Sequence, residues 1–285
     1  MRHKGLSGFS LKMIALVTML VDHLAAGILA RYLLYYQYRQ IDCFLTADNY
    51  RTWLTIYQVM RGIGRMAFPI YCFLLVEGFM YTRNVKKYIG RLLGFALLSE
   101  IPFDMCFRFQ VMPEKNFFTV FPLGDGDSFR EWLKYMMEYN NVFWTLFLGL
   151  LTLVGIRFVE EHFKLSKASM FLSDASFVLR QLLEFAVAAV GMLLAGAVLK
   201  TDYGAVGVLS IVVIYWFRDR RLLGFATAVV VLGLFSSVTE FLALFMLVPL
   251  YFYNGTRGRQ MKYVFYGFYP VHLLAIGIAA WLLNF

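Results

Sequence analysis

The chain has 285 residues, 60% of them hydrophobic, 18% aromatic and only 16% charged, whereas soluble domains run to roughly 45–50% apolar and about 25% charged residues. That excludes an ordinary soluble enzyme and points to an all-α, polytopic membrane bundle forming one domain over residues 1–285. The net charge of +9, from 27 Lys and Arg against 18 Asp and Glu, suggests nucleic acid in a soluble chain, but in a membrane protein cationic loops are expected.

Apolar runs broken by charge, Pro or Gly mark nine candidate spans, most of them close to the roughly 20 residues a helix needs to cross a bilayer. The first, 11–35, starts cationic with Lys12, lacks a small-residue cleavage site and carries Asp22 and His23 near its middle, so it reads as a retained helix rather than a signal peptide. The second, 54–81, holds Arg61, Arg65 and Glu77, with Pro69 between them to kink it; the third, 88–107, holds Glu100 and Asp104. A long loop over 108–141 follows, in which Ser128–Tyr139 alternates apolar and charged residues at helical spacing and is expected to lie along the membrane interface. Spans at 142–159, 177–199, 203–217, 221–238 and 240–253 come next, the last three short enough to tilt, to thin the bilayer locally or to be partly re-entrant. The final span, 263–284, carries His272.

Basic residues test the topology, because cytoplasmic loops collect Lys and Arg. With the N-terminus inside, the inner segments hold 17 of the 27 basic residues: three up to Lys12, four over 83–91, four over 157–180, three over 218–221 and three over 257–262. The outer segments carry acids that include Asp42, Asp48, Asp125, Asp202 and Glu240. The expected orientation is therefore N-terminus inside and C-terminus outside.

Ionisable residues inside a span cost roughly 2.5–3.5 kcal/mol each at mid-helix on insertion scales, so they face a cavity or a partner. His23 stands out, because a neutral imidazole takes a proton from an amine or hydroxyl near neutral pH. A structural histidine donating to a neighbouring helix is the plain alternative for His23 and for His272. Asp22 and His23 are adjacent and so point about 100° apart on a helix; Asp22 needs another partner, and Arg65 is the candidate. Glu100 and Asp104, four residues apart, share one helix face; they could receive a cationic or amine substrate, relay protons, or pair with Arg61 and Arg65. Arg83, Lys86, Lys87 and Arg91 form a basic group, which is either a topology signal alone or a seat for the phosphates of an anionic cofactor. Cys43, Cys72 and Cys106 have no metal-ligand spacing and are odd in number, against a zinc site or a disulfide scaffold. Glycine-rich phosphate loops, G-x-S-x-G and H-E-x-x-H are missing from the sequence.

Four stretches resemble the TraX family of bacterial membrane proteins: LKMIALVTMLVDHLAA at 11–26, GRMAFPIYCFLLVEGFMYTRNVKKYIGRLLGFALLSEIPFD at 64–104, NVFWTLFLGLL at 141–151 and KYVFYGFYPVHLL at 262–274. The resemblance implies an acetyltransferase, since TraX of conjugative plasmids is associated with N-terminal acetylation of the pilin subunit. It also implies kinship with transmembrane acyltransferases that use a first-span histidine and cytosolic acyl-CoA. Carried over residue by residue, the Asp-His pair falls on Asp22 and His23, and the basic residue eleven positions earlier on Lys12, where many relatives have Arg. The arginine before F-P falls on Arg65, E-G-F on Glu77, T-R-N on Arg83 and Asn84, S-E-I-P-F-D on Glu100 and Asp104, and Y-P-x-H on Tyr269, Pro270 and His272.

The expectation is thus a bacterial cytoplasmic-membrane acetyltransferase with His23, supported by Asp22, as general base. Lys12, Arg65, Arg83, Lys86, Lys87 and Arg91 would hold acetyl-CoA, the acyl donor; Glu100, Asp104 and His272 would receive a peptide, pilin-like or envelope-glycan acceptor. No metal and no nucleic acid enters this reading. The same intramembrane Asp, Glu and His also suit a proton-coupled transporter, although no internal repeat of the kind many transporters carry is visible. A non-catalytic scaffold for envelope assembly is the third possibility.

Overall fold

The computed structural model describes residues 5–39, 44–107, 138–164 and 174–283, which are helical and carry no strand. In chain order the helices are α1 (Gly8–Leu24), a π-helical turn (Ala25–Leu29), α2 (Ala30–Arg39), α3 (Tyr50–Gly64), α4 (Ala67–Tyr81) and α5 (Val85–Phe107). Then come α6 (Val142–Lys164), α7 (Asp174–Leu193) with a second π-helical turn (Leu194–Val198), α8 (Gly204–Trp216), α9 (Arg221–Phe235), a 3-10 helix (Val238–Met246), α10 (Leu247–Tyr251) and α11 (Lys262–Leu282).

Among the described residues, five helical stretches are long and apolar enough to cross a membrane: Gly8–Leu34, Tyr50–Tyr81, Val142–Phe163, Ser176–Val198 and Tyr263–Leu282. Gly204–Trp216, Arg221–Phe235 and Val238–Tyr251 are shorter apolar helices, and α5 coincides with the charged third run of the sequence. The chain is an integral membrane protein. The interfacial helix expected over Ser128–Tyr139, and most of the 108–141 loop around it, lie outside the described residues, as does Cys43; Cys72 and Cys106 are buried and form no disulfide.

The chain divides into two compact units: Met1–Tyr71, Leu97–Met137 and Thr239–Phe285 in the first, Cys72–Ala96 and Glu138–Val238 in the second. In the first unit α1 packs on α3 and α11, and the π-helical turn after it reaches both partners. Gly27 sits in that turn, where a β-carbon would overlap Ile276 of α11 and approach Cys106 to 2.9 Å; only a bare backbone lets these helices come so close. The N-terminus of α1 is tied down by the strand-like pairing of Leu6 with Tyr253. Thr256 and Arg257 carbonyls accept from the backbone N–H groups of Gly8 and Phe9, at 2.7 and 3.1 Å, and Ser7 Oγ accepts from Ser10 N, so orphan donors of the first turn are satisfied. Further along, Leu29, Leu33 and Leu45 form a core against Tyr32, Tyr36, Tyr50, Trp53 and Tyr57, joining α2 to α3.

The second long hydrophobic run is broken as its Pro demands. Pro69 has no N–H to offer the carbonyl of Arg65, four residues back, and its ring would collide with it. The helix stops at Gly64, turns over Arg65 and Met66, and restarts at Ala67.

In the second unit α8 is the central helix, packed on α6, α7 and α9, with Val208, Ile211 and Val212 fully buried. Asn140 and Asn141 anchor the start of α6: the Asn140 amide donates to the Leu199 carbonyl, that of Asn141 donates to Ala96 O at 2.8 Å, and Thr145 pairs with Thr201. Glu160 of α6 is buried, accepts from Tyr215 Oη at 2.8 Å and Arg218 Nη2 at 3.0 Å, and lies 3.6 Å from Arg180, which itself binds Glu184 at 2.7 Å. Arg157 lies over the Phe79 ring, 3.7 Å from its centroid.

Candidate functional site

The first unit concentrates the charges that the sequence placed inside spans. Asp22, near the C-terminal end of α1, is buried, and both of its carboxylate oxygens are engaged: Oδ2 accepts from Arg61 Nη1 at 2.7 Å and Oδ1 meets Arg65 Nη2 at 3.5 Å. Arg65, expected as the partner of Asp22, does reach it, but Arg61 makes the shorter contact. Arg65 also donates to Glu240 Oε1 at 3.1 Å. The result is a four-residue network of two acids and two arginines drawn from α1, the α3 terminus and the 3-10 helix, neutral in sum, as a low-dielectric setting requires.

Small residues make the network possible. A β-carbon on Gly64 would overlap Asp22, and one on Gly62 would stand 2.8 Å from Leu242 of the 3-10 helix. The G-x-G at the end of α3 therefore admits the Asp22 carboxylate on one side and the Glu240-bearing segment on the other.

His23, the next residue along α1, is half-buried and bonds a different helix. Its Nδ1 lies 2.6 Å from Nε2 of His272 on α11. His272 is buried, and its Nδ1 bonds the carbonyl of Phe268, one turn earlier on α11, at 2.6 Å. Phe107 and Tyr269 set their rings edge-on to His23 with centroids at 5.3 and 5.8 Å. The π-helical turn begins two residues after His23; such insertions are frequent at functional sites.

The remaining candidates are distributed as follows. Lys12 lies on α1, its Nζ 5.5 Å from the centroid of Phe265. Glu100 and Asp104 are both buried, on the same α5 segment as Phe107. Arg83, Lys86 and Lys87 belong to the second unit, exposed around the start of α5, where Asn84 Oδ1 accepts from Lys87 N at 2.8 Å. Cations in the first turn of a helix oppose its dipole and gain from an anion there. Arg91, one turn on, sets its guanidinium 5.5 Å from the Tyr88 ring centroid. Glu77 lines a cleft of about 160 Å³ in the second unit, with Phe73, Met80, Tyr81, Arg218 and Arg221.

Two buried charges of the first unit escaped sequence reading. Glu240, assigned there to an outer segment, is fully buried against Arg65. The signal available was its isolation between two apolar stretches, SSVTEFLALFM. Arg31, also buried, donates from Nη2 to the carbonyls of Met105 and Cys106 at 3.1 and 2.9 Å, a cation satisfying the C-terminal carbonyls of α5.

Chemically, the arrangement offers an imidazole held by a second imidazole in an aromatic surround, next to a neutralised ion network. Among known proteins, the chain is 28% identical over 290 residues, covering 95% of both chains, to the probable fimbrial assembly protein FimC, serogroup H1, of Dichelobacter nodosus. No solved structure matches it. A family model described as TraX protein matches residues 7–280, nearly the whole chain, and the chain belongs to that family.

Proposed function

We propose that this protein is a membrane-bound acetyltransferase that moves an acetyl group from cytosolic acetyl-CoA to an amine or hydroxyl acceptor at the membrane, with His23 as general base. The observation that carries the reading is the hydrogen bond between His23 and His272, which gives a mid-span histidine of a TraX-family chain a fixed orientation. A base held by a second group is the arrangement that acyl transfer needs. The fimbrial assembly relative favours a pilin-like acceptor, the N-terminal amine of a pilus or fimbrial subunit.

In this reading the whole chain acts as one acyltransferase domain in a bacterial cytoplasmic membrane, crossing nine times with its N-terminus inside and its C-terminus outside. Arg83, Lys86, Lys87 and Arg91 receive the phosphates of acetyl-CoA; the fit rests on exposed cations at a helix start. Lys12 adds positive charge on the first helix. Asp22 and Arg65 keep α1 in register beside the base, while Glu100 and Asp104 flank the acceptor.

Calorimetry of acetyl-CoA with the purified protein in detergent tests this. Micromolar binding that weakens in an Arg83→Ala, Lys86→Ala double variant and survives His23→Ala, together with loss of acetyl transfer in His23→Ala, is the expected result. A folded wild type that binds no acetyl-CoA overturns the reading. The alternative then is a non-catalytic scaffold in fimbrial assembly, which the name of the relative also supports.

A further inference from the structure

We infer that His272 is a positioning residue that fixes the tautomer of His23 and leaves His23 Nε2 as the proton-accepting atom. The inference deepens the general-base reading and rests on it. It starts from a backbone carbonyl. Phe268 O lies 2.6 Å from His272 Nδ1, and a carbonyl can only accept, so His272 Nδ1 carries a hydrogen. A neutral imidazole has one N–H, so His272 Nε2 holds a lone pair. That lone pair faces His23 Nδ1 at 2.6 Å, which must therefore donate. By the same rule the remaining nitrogen of His23, Nε2, is left with its lone pair exposed to chemistry.

Ring geometry agrees with this assignment. The two imidazoles are within 3° of parallel with centroids 4.9 Å apart. That separation is the nitrogen–nitrogen distance plus the two ring radii, so the rings lie edge to edge in one plane rather than face to face. An in-plane contact aims the N–H of one ring along the lone pair of the other. Phe268 stacks on His272 at 4.6 Å, while Phe107 and Tyr269 wall His23, so the pair is held in plane from both sides. Asp22 does not take the orienting role, because Arg61 and Arg65 engage its two oxygens.

The proton path closes on itself. As the acceptor's lone pair forms its bond to the thioester carbonyl carbon, the acceptor's proton passes to His23 Nε2. The imidazolium so formed strengthens its Nδ1–H bond to His272, which becomes charge-assisted. When the carbon–sulfur bond breaks, the same proton passes from Nε2 to the departing thiolate, and His272 keeps both of its bonds throughout. A neutral imidazole thus stands where a carboxylate orients the base in a Ser-His-Asp triad.

The chain has four histidines, so selective 15N-histidine labelling gives a readable spectrum of the full-length protein in detergent. His23 is expected to show a protonated Nδ1 and an unprotonated Nε2, and to lose that preference in His272→Phe. In acetyl transfer, His272→Phe is expected to lower kcat by about a hundredfold or more, the size of general-base catalysis, with the KM for acetyl-CoA changed by less than about twofold. His272→Gln, whose amide oxygen takes the place of Nε2 as acceptor, should recover most of kcat. A wild-type His23 protonated on Nε2 overturns the inference, and so does an unchanged kcat in His272→Phe. The spectra need no turnover: a correct tautomer in a protein without transfer activity leaves the histidine pair standing and removes the acetyltransferase reading instead.

Discussion

Gly64 lies against Asp22 so closely that any β-carbon there would occupy the space of the Asp22 carboxylate. The missing side chain on α3 is thus what allows an acid on α1 to reach Arg61 and Arg65. Gly64→Ala is expected to drive Asp22 out of its ion pairs, lowering the thermal unfolding midpoint of the detergent-solubilised protein sharply. The nearest atom to such a β-carbon is the Asp22 Cβ itself, so Gly64→Ala added to an Asp22→Gly background should cost far less than in the wild type. Strictly additive losses in the two single variants and the double would show that Gly64 acts elsewhere.

Arg65 carries two acids, Asp22 and Glu240. Removing one partner of a buried ion pair costs about 3–5 kcal/mol, because the remaining charge is left in a low dielectric. Glu240→Ala is expected at the lower end of that range, since Arg65 keeps Asp22. Arg65→Ala should cost more, since it withdraws a guanidinium from two carboxylates at once. A double-mutant cycle on Arg65 and Glu240, read by urea or thermal unfolding, should return a coupling of at least about 1 kcal/mol; additivity would mean the contact contributes nothing.

Much of this architecture is legible in the sequence, for a physical reason. A helix in lipid must satisfy its backbone internally and present apolar side chains over its length, so hydropathy alone outlines the helices, and Pro69 announces the break at Arg65 and Met66. His23 and Asp22 were visible because charge inside an apolar run is costly and therefore rare. What periodicity cannot give is which faces meet. His23 and His272 are 249 residues apart, and nothing local in either helix states that the two rings share a plane. Glu240 failed for a different cause: it stands at the junction of two apolar runs, where a solvated loop and a buried turn read alike. Arg180 and Arg218, which read as markers of the inner face, turn out to be joined to a buried Glu160.

Around the start of α5, Arg83, Lys86 and Lys87 are exposed and gather positive charge where the helix dipole is already positive. An anionic ligand there gains from both. In the proposed enzyme, Lys86→Ala and Lys87→Ala should each raise the KM for acetyl-CoA severalfold while leaving kcat within about twofold. The penalty should shrink between low salt and about 0.5 M salt, because exposed charges are screened over a Debye length that falls from about 10 Å at 0.1 M towards 3 Å at 1 M. Initial-rate kinetics at two salt concentrations decide the matter: a KM indifferent to both substitutions and salt removes this turn from the binding site.

Within the second unit, Glu160 receives Tyr215 Oη at 2.8 Å, Arg218 at 3.0 Å and Arg180 at 3.6 Å. The three donors are not equivalent. Tyr215→Phe deletes one hydroxyl from a carboxylate that keeps two arginines, so its cost should be that of a single hydrogen bond to a charged group, about 1.5–3 kcal/mol. Glu160→Ala removes the acceptor for all three and leaves Arg218, which also donates to the Tyr215 carbonyl, with its charge uncompensated at that point; about 3–5 kcal/mol is expected. In the Glu160→Ala background the Tyr215 hydroxyl has lost its acceptor and keeps only its contact with Arg157, so Tyr215→Phe there should cost clearly less than in the wild type, since replacing both members of a pair avoids the desolvation penalty of stranding one. Thermal unfolding of the four proteins measures this directly. A Tyr215→Phe cost that is the same in both backgrounds would show that the hydroxyl stabilises α8 by some route other than Glu160.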